Sequence, residues 1–167
     1  MTNKVWNPAV AVVLFLLTAT MILKAEDIGW MSDCSSIKDW YDNKTDQGYR
    51  TKVDQFEPSV MRISQEGADT WGKAAFVVQD VDLDKTPMLQ TKVNKVDLNS
   101  AFKVCVASLD WSEFYEVVPR SSADGVHMGD IKAATGWSGK KSFNIVVVIE
   151  GQGKASYFDQ IKIASKS

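Results

Sequence analysis

Beyond residue 50 the chain alternates apolar and polar side chains with a period of two, and no other feature constrains its fold as tightly. Successive side chains of an extended strand point to opposite faces, whereas a helix returns to one face every three or four residues. Val60, Arg62 and Ser64 alternate with Met61 and Ile63, and Ala74, Phe76 and Val78 share one face. Leu89, Thr91 and Val93 share another, and Phe102, Val104 and Val106 alternate with Lys103, Cys105 and Ala107. The longest run is Phe143, Ile145, Val147 and Ile149; its opposite face carries Asn144, Val146, Val148 and Glu150. Two largely apolar faces predict a central strand. A last strand is predicted near Lys154–Ala164, with Tyr157, Phe158, Ile161 and Ile163.

Turn residues punctuate the pattern at Glu66-Gly67-Ala68-Asp69, Lys85-Thr86-Pro87, Val96–Ser100, Ser121–Gly125 and Gly151-Gln152-Gly153. Only Asp130–Thr135 reads as a helical turn, closed by Gly136. Roughly eight strands with almost no helix predict an all-β fold, a two-sheet antiparallel β-sandwich. The chain of 167 residues is 45% apolar and 24% charged, a balance that suits one globular domain over 51–167 with a polar, mixed stretch at 26–50 before it. That stretch holds one candidate edge strand near Ser36–Tyr41.

The amino terminus reads differently. Lys4 precedes an apolar run from Ala9 to Leu23, which ends at Lys24-Ala25 before the acidic Glu26-Asp27. A basic start, a short apolar middle and a small residue before the polar stretch predict a secretory signal peptide over 1–25. The alternative is an uncleaved anchor, the only route by which this sequence predicts membrane contact. The expected location is secreted, periplasmic or cell surface. Export exposes Cys34 and Cys105 to an oxidising compartment, where they either pair or remain free, with Cys105 buried on its strand.

Composition excludes several chemistries. The formal net charge is −2 and no basic face is visible, so phosphate-driven nucleic-acid binding is not expected. With one His and two Cys, a zinc site of the Cys/His type needs carboxylates to complete it. Asp80, Asp82 and Asp84 have the spacing of an EF-hand start, but Lys85 stands where that loop needs Gly and Thr91 where it needs Glu. Gly136-Trp137-Ser138-Gly139-Lys140 lacks the second Gly of a nucleophile elbow, and the lone His127 would have to complete any triad. No catalytic residues are predicted; Trp137 and Trp71 are read as packing residues.

The aromatic residues carry the binding argument. Sugars present apolar C–H faces that stack on Trp or Tyr rings while polar neighbours bond their hydroxyls. Trp111 and Tyr115 flank a hairpin turn at Asp110–Glu113, and a Trp in a turn is hard to bury. Asp110, Glu113, Arg120 and His127 lie in segments that converge at one end of a sandwich or on a sheet face, so these six are the candidate ligand-binding residues. The alternative puts Tyr115 in the core and Trp111 over a sheet edge.

Trp71 to Ala164 resembles the galactose-binding-like jelly-roll modules appended to secreted bacterial polysaccharide-degrading enzymes. The resemblance rests on Trp71-Gly72-Lys73, Val81-Asp82-Leu83-Asp84-Lys85, Pro87-Met88-Leu89, Gly125, Gly129-Asp130-Ile131, Thr135-Gly136-Trp137-Ser138-Gly139-Lys140-Lys141 and Tyr157-Phe158-Asp159-Gln160-Ile161-Lys162-Ile163. It implies a non-catalytic, sugar-binding module. It also implies one structural calcium ion, held by an acid near the first strand and an Asp in the last strand. Asp159 matches the last-strand position; Asp39 is the candidate partner, with Asp33 and Asp42 as alternatives. Read from its own neighbours, Asp159 beside Phe158 and Ile161 needs either a cation or backbone donors.

The expected function is a secreted, non-catalytic carbohydrate-binding β-sandwich that recognises a glycan through exposed aromatic residues. One alternative is a structural or adhesive subunit of an extracellular or cell-surface assembly, its edge strands joining homo-oligomers. Another is a small polysaccharide lyase or glycosidase with paired carboxylates.

Overall fold

A computed structural model of the chain describes residues 25–42, 50–67 and 70–166. The expected signal segment lies outside the described residues, apart from Ala25. In chain order the described residues form β1 (Ile28–Ser32), β2 (Tyr41–Asp42), β3 (Thr51–Glu57), β4 (Val60–Gln65), β5 (Trp71–Asp82), β6 (Met88–Val96), β7 (Ala101–Ala107), β8 (Phe114–Ser121), β9 (Gly125–Asp130), α1 (Ile131–Thr135), β10 (Lys140–Glu150) and β11 (Ala155–Ala164). α1 is the expected helical turn. Asp130 caps its start by accepting from the Ala133 amide, and Gly136 ends it in the left-handed region at φ 74°.

The strands make two antiparallel sheets. One runs β3-β4-β11-β6-β9, and the other runs β2-β5-β10-β7-β8. β10 is central in the second, as its two apolar faces predict. β4 pairs the first half of β11, at 155–158, and β1 takes over along the second half, at 161–164. The stretch before residue 50 therefore contributes to both sheets: β1 to the first and the two-residue β2 to the edge of the second. The periodicity did not foresee β1, because Ile28-Gly29-Trp30-Met31-Ser32 has no alternation to read.

The core lies between the sheets. Met61, Ile63, Leu89, Val93, Phe158, Ile161 and Ile163 from one layer meet Ala74, Val78, Phe102, Val104, Phe143, Ile145, Val147 and Ile149 from the other. Phe102 and Phe158 bridge the layers edge to face, with centroids 5.7 Å apart. Each large side chain so buried stabilises the fold by about 1.5–3 kcal/mol. Trp30 and Trp40 close around Phe76, at 5.0 and 5.5 Å between centroids, and so pin the amino-terminal segment to the sandwich. At one edge β9 runs so close to β8 that a Cβ on Gly129 would collide with the Val117 carbonyl.

Of the two outcomes left open for Cys34 and Cys105, the structure has the unpaired one: both cysteines are free and fully buried. Cys34 joins the core between the sheets. Cys105 alternates with the core residues Val104 and Val106, so it points to the opposite side of its sheet. The sheet backbone stands between the two thiols. Burial pushes Cys34 up to about 11 and Cys105 up to about 12, which keeps both protonated.

Candidate functional site

The outward face of the five-stranded sheet carries a second apolar cluster. Strand register builds it row by row. Trp71 lies across from Glu150, which pairs with Ala101; Lys73 lies across from Val148, which pairs with Lys103. The next row runs Tyr41, Ala75, Val146, Cys105 and Glu116, and the last runs Val77, Asn144, Ala107 and Phe114. Ala75, Cys105, Ala107, Val146 and Val148 are small or β-branched, and all are buried. Trp71 and Trp111 pack on them from the rim, half-buried. Phe114 and Tyr41 stand on the same face, 44% and 37% exposed. Among the described residues the second layer packs on the inner face of this sheet, and Trp71 and Trp111 pack on the outer floor.

Two lysines cross the frame. The Lys103 Nζ lies 5.2 Å from the Trp71 ring centroid and 3.0 Å from Glu116 Oε2. The Lys73 Nζ lies 5.4 Å from the Phe114 centroid. Both are cation–π distances. Trp71, Lys73, Lys103, Phe114 and Val148 line a cleft of about 240 Å³. Tyr41 Oη donates to Asn144 Oδ1 at 2.9 Å, and Asn144 Nδ2 donates to the Ser108 carbonyl at 2.9 Å, which ties β2 to the β7–β8 turn.

That turn presents Trp111 with its backbone in the left-handed region, at φ 62°. For a bulky side chain this costs of order 1–2 kcal/mol, and it persists only where neighbours fix the backbone. They do so here: the Ser108 amide donates to the Glu113 carbonyl at 3.1 Å. Asp110 Oδ1 accepts from Ser108 Oγ at 2.6 Å, Ser112 Oγ at 2.8 Å and the Ser112 amide at 3.1 Å. These donors, the Ser108 hydroxyl foremost, hold the Asp110 carboxyl down at about 2.

The six candidate ligand residues do not converge. Trp111 stands on the rim of the outer face, and Asp110 buttresses its turn. Glu113 turns the other way, accepting from Tyr115 Oη at 3.0 Å and Trp137 Nε1 at 3.2 Å. Its bond to Tyr115 raises that phenol above its ordinary range. Tyr115 packs against the core and meets Trp137 edge to face, at 5.7 Å between centroids; Trp137 packs as expected. Arg120 Nε bonds Glu150 Oε2 at 2.5 Å, the acid of the Trp71 row. His127 sits on β9 in the other sheet, its ring edge to face with Phe102 and its Nε2 donating to the Ala123 carbonyl at 2.9 Å.

Lys73, Lys103, Phe114 and Tyr41 were missed by the sequence reading, and Trp71 was assigned to packing alone. A signal for them was present. A two-layer sandwich covers one face of each sheet, so Val146 and Val148 pointing outward required an occupant or a cover.

The calcium expectation meets a poor donor set. Lys92 Nζ lies 2.9 Å from Asp159 Oδ2, while Asp159 Oδ1 is buried without a hydrogen-bond partner. Asp39 is exposed, with φ 71°. Among the described residues no three His, Cys, Asp or Glu side chains converge. Calcium takes six to eight oxygens, and one carboxylate answered by an ammonium does not fit it.

No family model matches the chain, and no curated protein does. Solved structures do. The family 11 carbohydrate-binding module of the cellulosomal cellulase Lic26A-Cel5E of Clostridium thermocellum superposes with a TM-score of 0.54 at 14% identity, over 84% of this chain and 95% of that one. The family 11 module from the same organism, in complex with a β-1,3-1,4-mixed-linked tetrasaccharide, gives 0.52 at 12% identity, over 83% and 93%. PfGH50B gives 0.51 at 12% identity, over 77% of this chain and 22% of that one. The chain has the jelly-roll β-sandwich fold of these carbohydrate-binding modules.

Proposed function

We propose that the chain is a non-catalytic glycan-binding module and that the outer face of its five-stranded sheet takes a polysaccharide strand. One observation carries this reading. An apolar floor of Ala75, Cys105, Ala107, Val146 and Val148 lies beneath Trp71 and Trp111 on the side of the sheet that, among the described residues, no second layer covers. Pyranose rings have apolar C–H faces of matching size, and stacking on indole or phenyl rings supplies both area and orientation. Trp71 and Phe114 at the cleft and Trp111 at the rim are the stacking residues, and Tyr41 and Asn144 offer polar atoms beside them. The carbohydrate-binding modules that share the fold support the same reading. The carboxylates nearest the floor, Glu116 and Glu150, are each held by a cation, which suits binding rather than cleavage.

Affinity electrophoresis through gels containing a panel of neutral and charged polysaccharides tests the reading. Retardation by at least one polymer, in the millimolar to micromolar range of about 4–8 kcal/mol, and its loss in Trp71→Ala support it. Free migration through every gel contradicts it. Release of reducing ends from any retained polymer would favour a lyase or glycosidase instead.

A second reading, a structural or adhesive subunit, draws on β9. This edge strand of the six-stranded sheet exposes Val126 at 59% and Met128 at 52%, an arrangement open to strand addition by another copy. Light scattering that finds dimers or larger species would favour it; a monomer would count against it.

A further inference from the structure

We propose that the glycan face continues past Trp71 into a cleft at Arg120, where Arg120 and Glu150 select an uncharged sugar residue by its neighbouring hydroxyls; this rests on the glycan-binding reading above. Glu150 lies across from Trp71 on one side and Ala101 on the other, so it shares the outer face with the ring. Arg120 reaches it from β8. Since β7 lies between β8 and β10, the two backbones stand two strand spacings apart, about 10 Å. The arginine is therefore laid along the sheet rather than out from it, and the β7 residue in that row is only Ala101. The Arg120 side chain is 61% exposed and that of Glu150 14%, so the acid is the anchored partner and the guanidinium the one open to a ligand. Arg120 also lines a cleft of about 480 Å³ with Asn99, Ser100 and Ser122.

The groups present match hydroxyls. A hydroxyl both donates and accepts, so two neighbouring hydroxyls are met by a donor and an acceptor held side by side. Arg120 and Glu150 are such a pair, fixed by the bond from Nε to Oε2 at 2.5 Å. A guanidinium has five N–H donors, and each carboxylate oxygen has more than one lone pair to offer. Among the described residues Nε is the one Arg120 donor with a hydrogen bond, and Glu150 Oε1 accepts none. Asn99, Ser100 and Ser122 add amide and hydroxyl groups that both donate and accept. Asp97, which also lines the cleft, is taken up by Lys95 Nζ at 3.4 Å and by the Ala155 amide at 3.0 Å. A carboxylate or sulfate on the sugar would be drawn to Arg120 but would meet Glu150 beside it, and the like charge offsets the attraction. An uncharged ring meets no such opposition.

The test uses affinity electrophoresis of the wild-type chain in gels containing mixed-linkage β-glucan, galactomannan, polygalacturonate or carrageenan. The expected result is affinity for one of the two neutral polymers at least about tenfold above that for either charged one. Arg120→Gln made together with Glu150→Gln removes both charges at similar size. It is expected to weaken retention by the preferred polymer about tenfold, as loss of one hydrogen bond to a charged group does, with an unchanged melting temperature. Glu150→Gln alone leaves Arg120 without its counter-charge and narrows the gap between neutral and charged polymers, which a purely structural role for the pair would not do. In the wild-type chain, titration with an oligosaccharide of the preferred polymer shifts the Arg120 Nε–H resonance, a readout that needs no variant to fold. An unmoved Arg120 signal, or wild-type affinity in the double variant, overturns the subsite. Equal or tighter retention by a charged polymer overturns the uncharged assignment. Each of these leaves glycan binding standing, whereas retention by none of the four polymers overturns both.

Discussion

Trp111 donates its amide to the Ser108 carbonyl at 3.0 Å while its own backbone stands in the left-handed region. The turn that holds an indole at the rim of the outer face is thus closed by a serine at its other end, and Asp110 braces both from between. Because the Asp110 carboxyl is held at about 2 by its serine donors, its contribution to the turn is present above pH 4. That contribution is lost as pH falls from about 4 through 2 and the carboxyl takes up a proton. Tryptophan fluorescence of the wild type is expected to change across that window at the Trp111 turn. Asp110→Asn, which keeps an acceptor but cannot titrate, flattens the response. An identical acid profile in the variant would show that Asp110 does not set it.

The two thiols give a second expectation. Both are buried, free and shifted upward by desolvation, so Ellman's reagent finds no reactive thiol in the native chain near neutral pH. In denaturant without reductant it finds both. Detecting none under those conditions would mean that the cysteines are paired after all. Cys105→Ala, beside Ala75 and Ala107 on the floor, is expected to leave the fold intact.

Core packing predicts where the fold is least tolerant. Ile145 is fully buried between the sheets on the central strand, and Ile145→Ala is expected to cost about 2–5 kcal/mol in urea unfolding. Gly129→Ala acts at the sandwich edge, where its new methyl meets the Val117 carbonyl, and is expected to cost about 1–3 kcal/mol. Wild-type stability in Gly129→Ala would show that β8 and β9 approach less closely than described.

The fold was largely legible in the sequence because its signal is local. Phe143 to Glu150 announced a central strand, and Asp130 with Gly136 announced the one helical turn. β1 was not legible, since Ile28–Ser32 gains its strand geometry only by docking on the last part of β11. The site was less legible still. Register between strands distant in sequence decides that Lys73, Val148 and Lys103 form one row, and no alternation within a single strand reveals it. Trp111 was readable because a Trp in a turn is anomalous on its face. Arg120 and His127 were equally conspicuous in type, yet Glu150 takes up Arg120 and the ring of His127 meets Phe102 from the other sheet. Cys34 and Cys105 show the same limit: their pairing depended on which face each occupies.

The central claim is that the outer face of the five-stranded sheet holds the glycan. Backbone amide shifts followed during titration with a retained oligosaccharide test it most directly. The account predicts perturbations concentrated at Trp71–Val77, Lys103–Ala107, Trp111, Phe114 and Asn144–Glu150. Perturbations gathered instead on β3, β4, β6 and β9, with Trp71 and Phe114 unmoved, would contradict it.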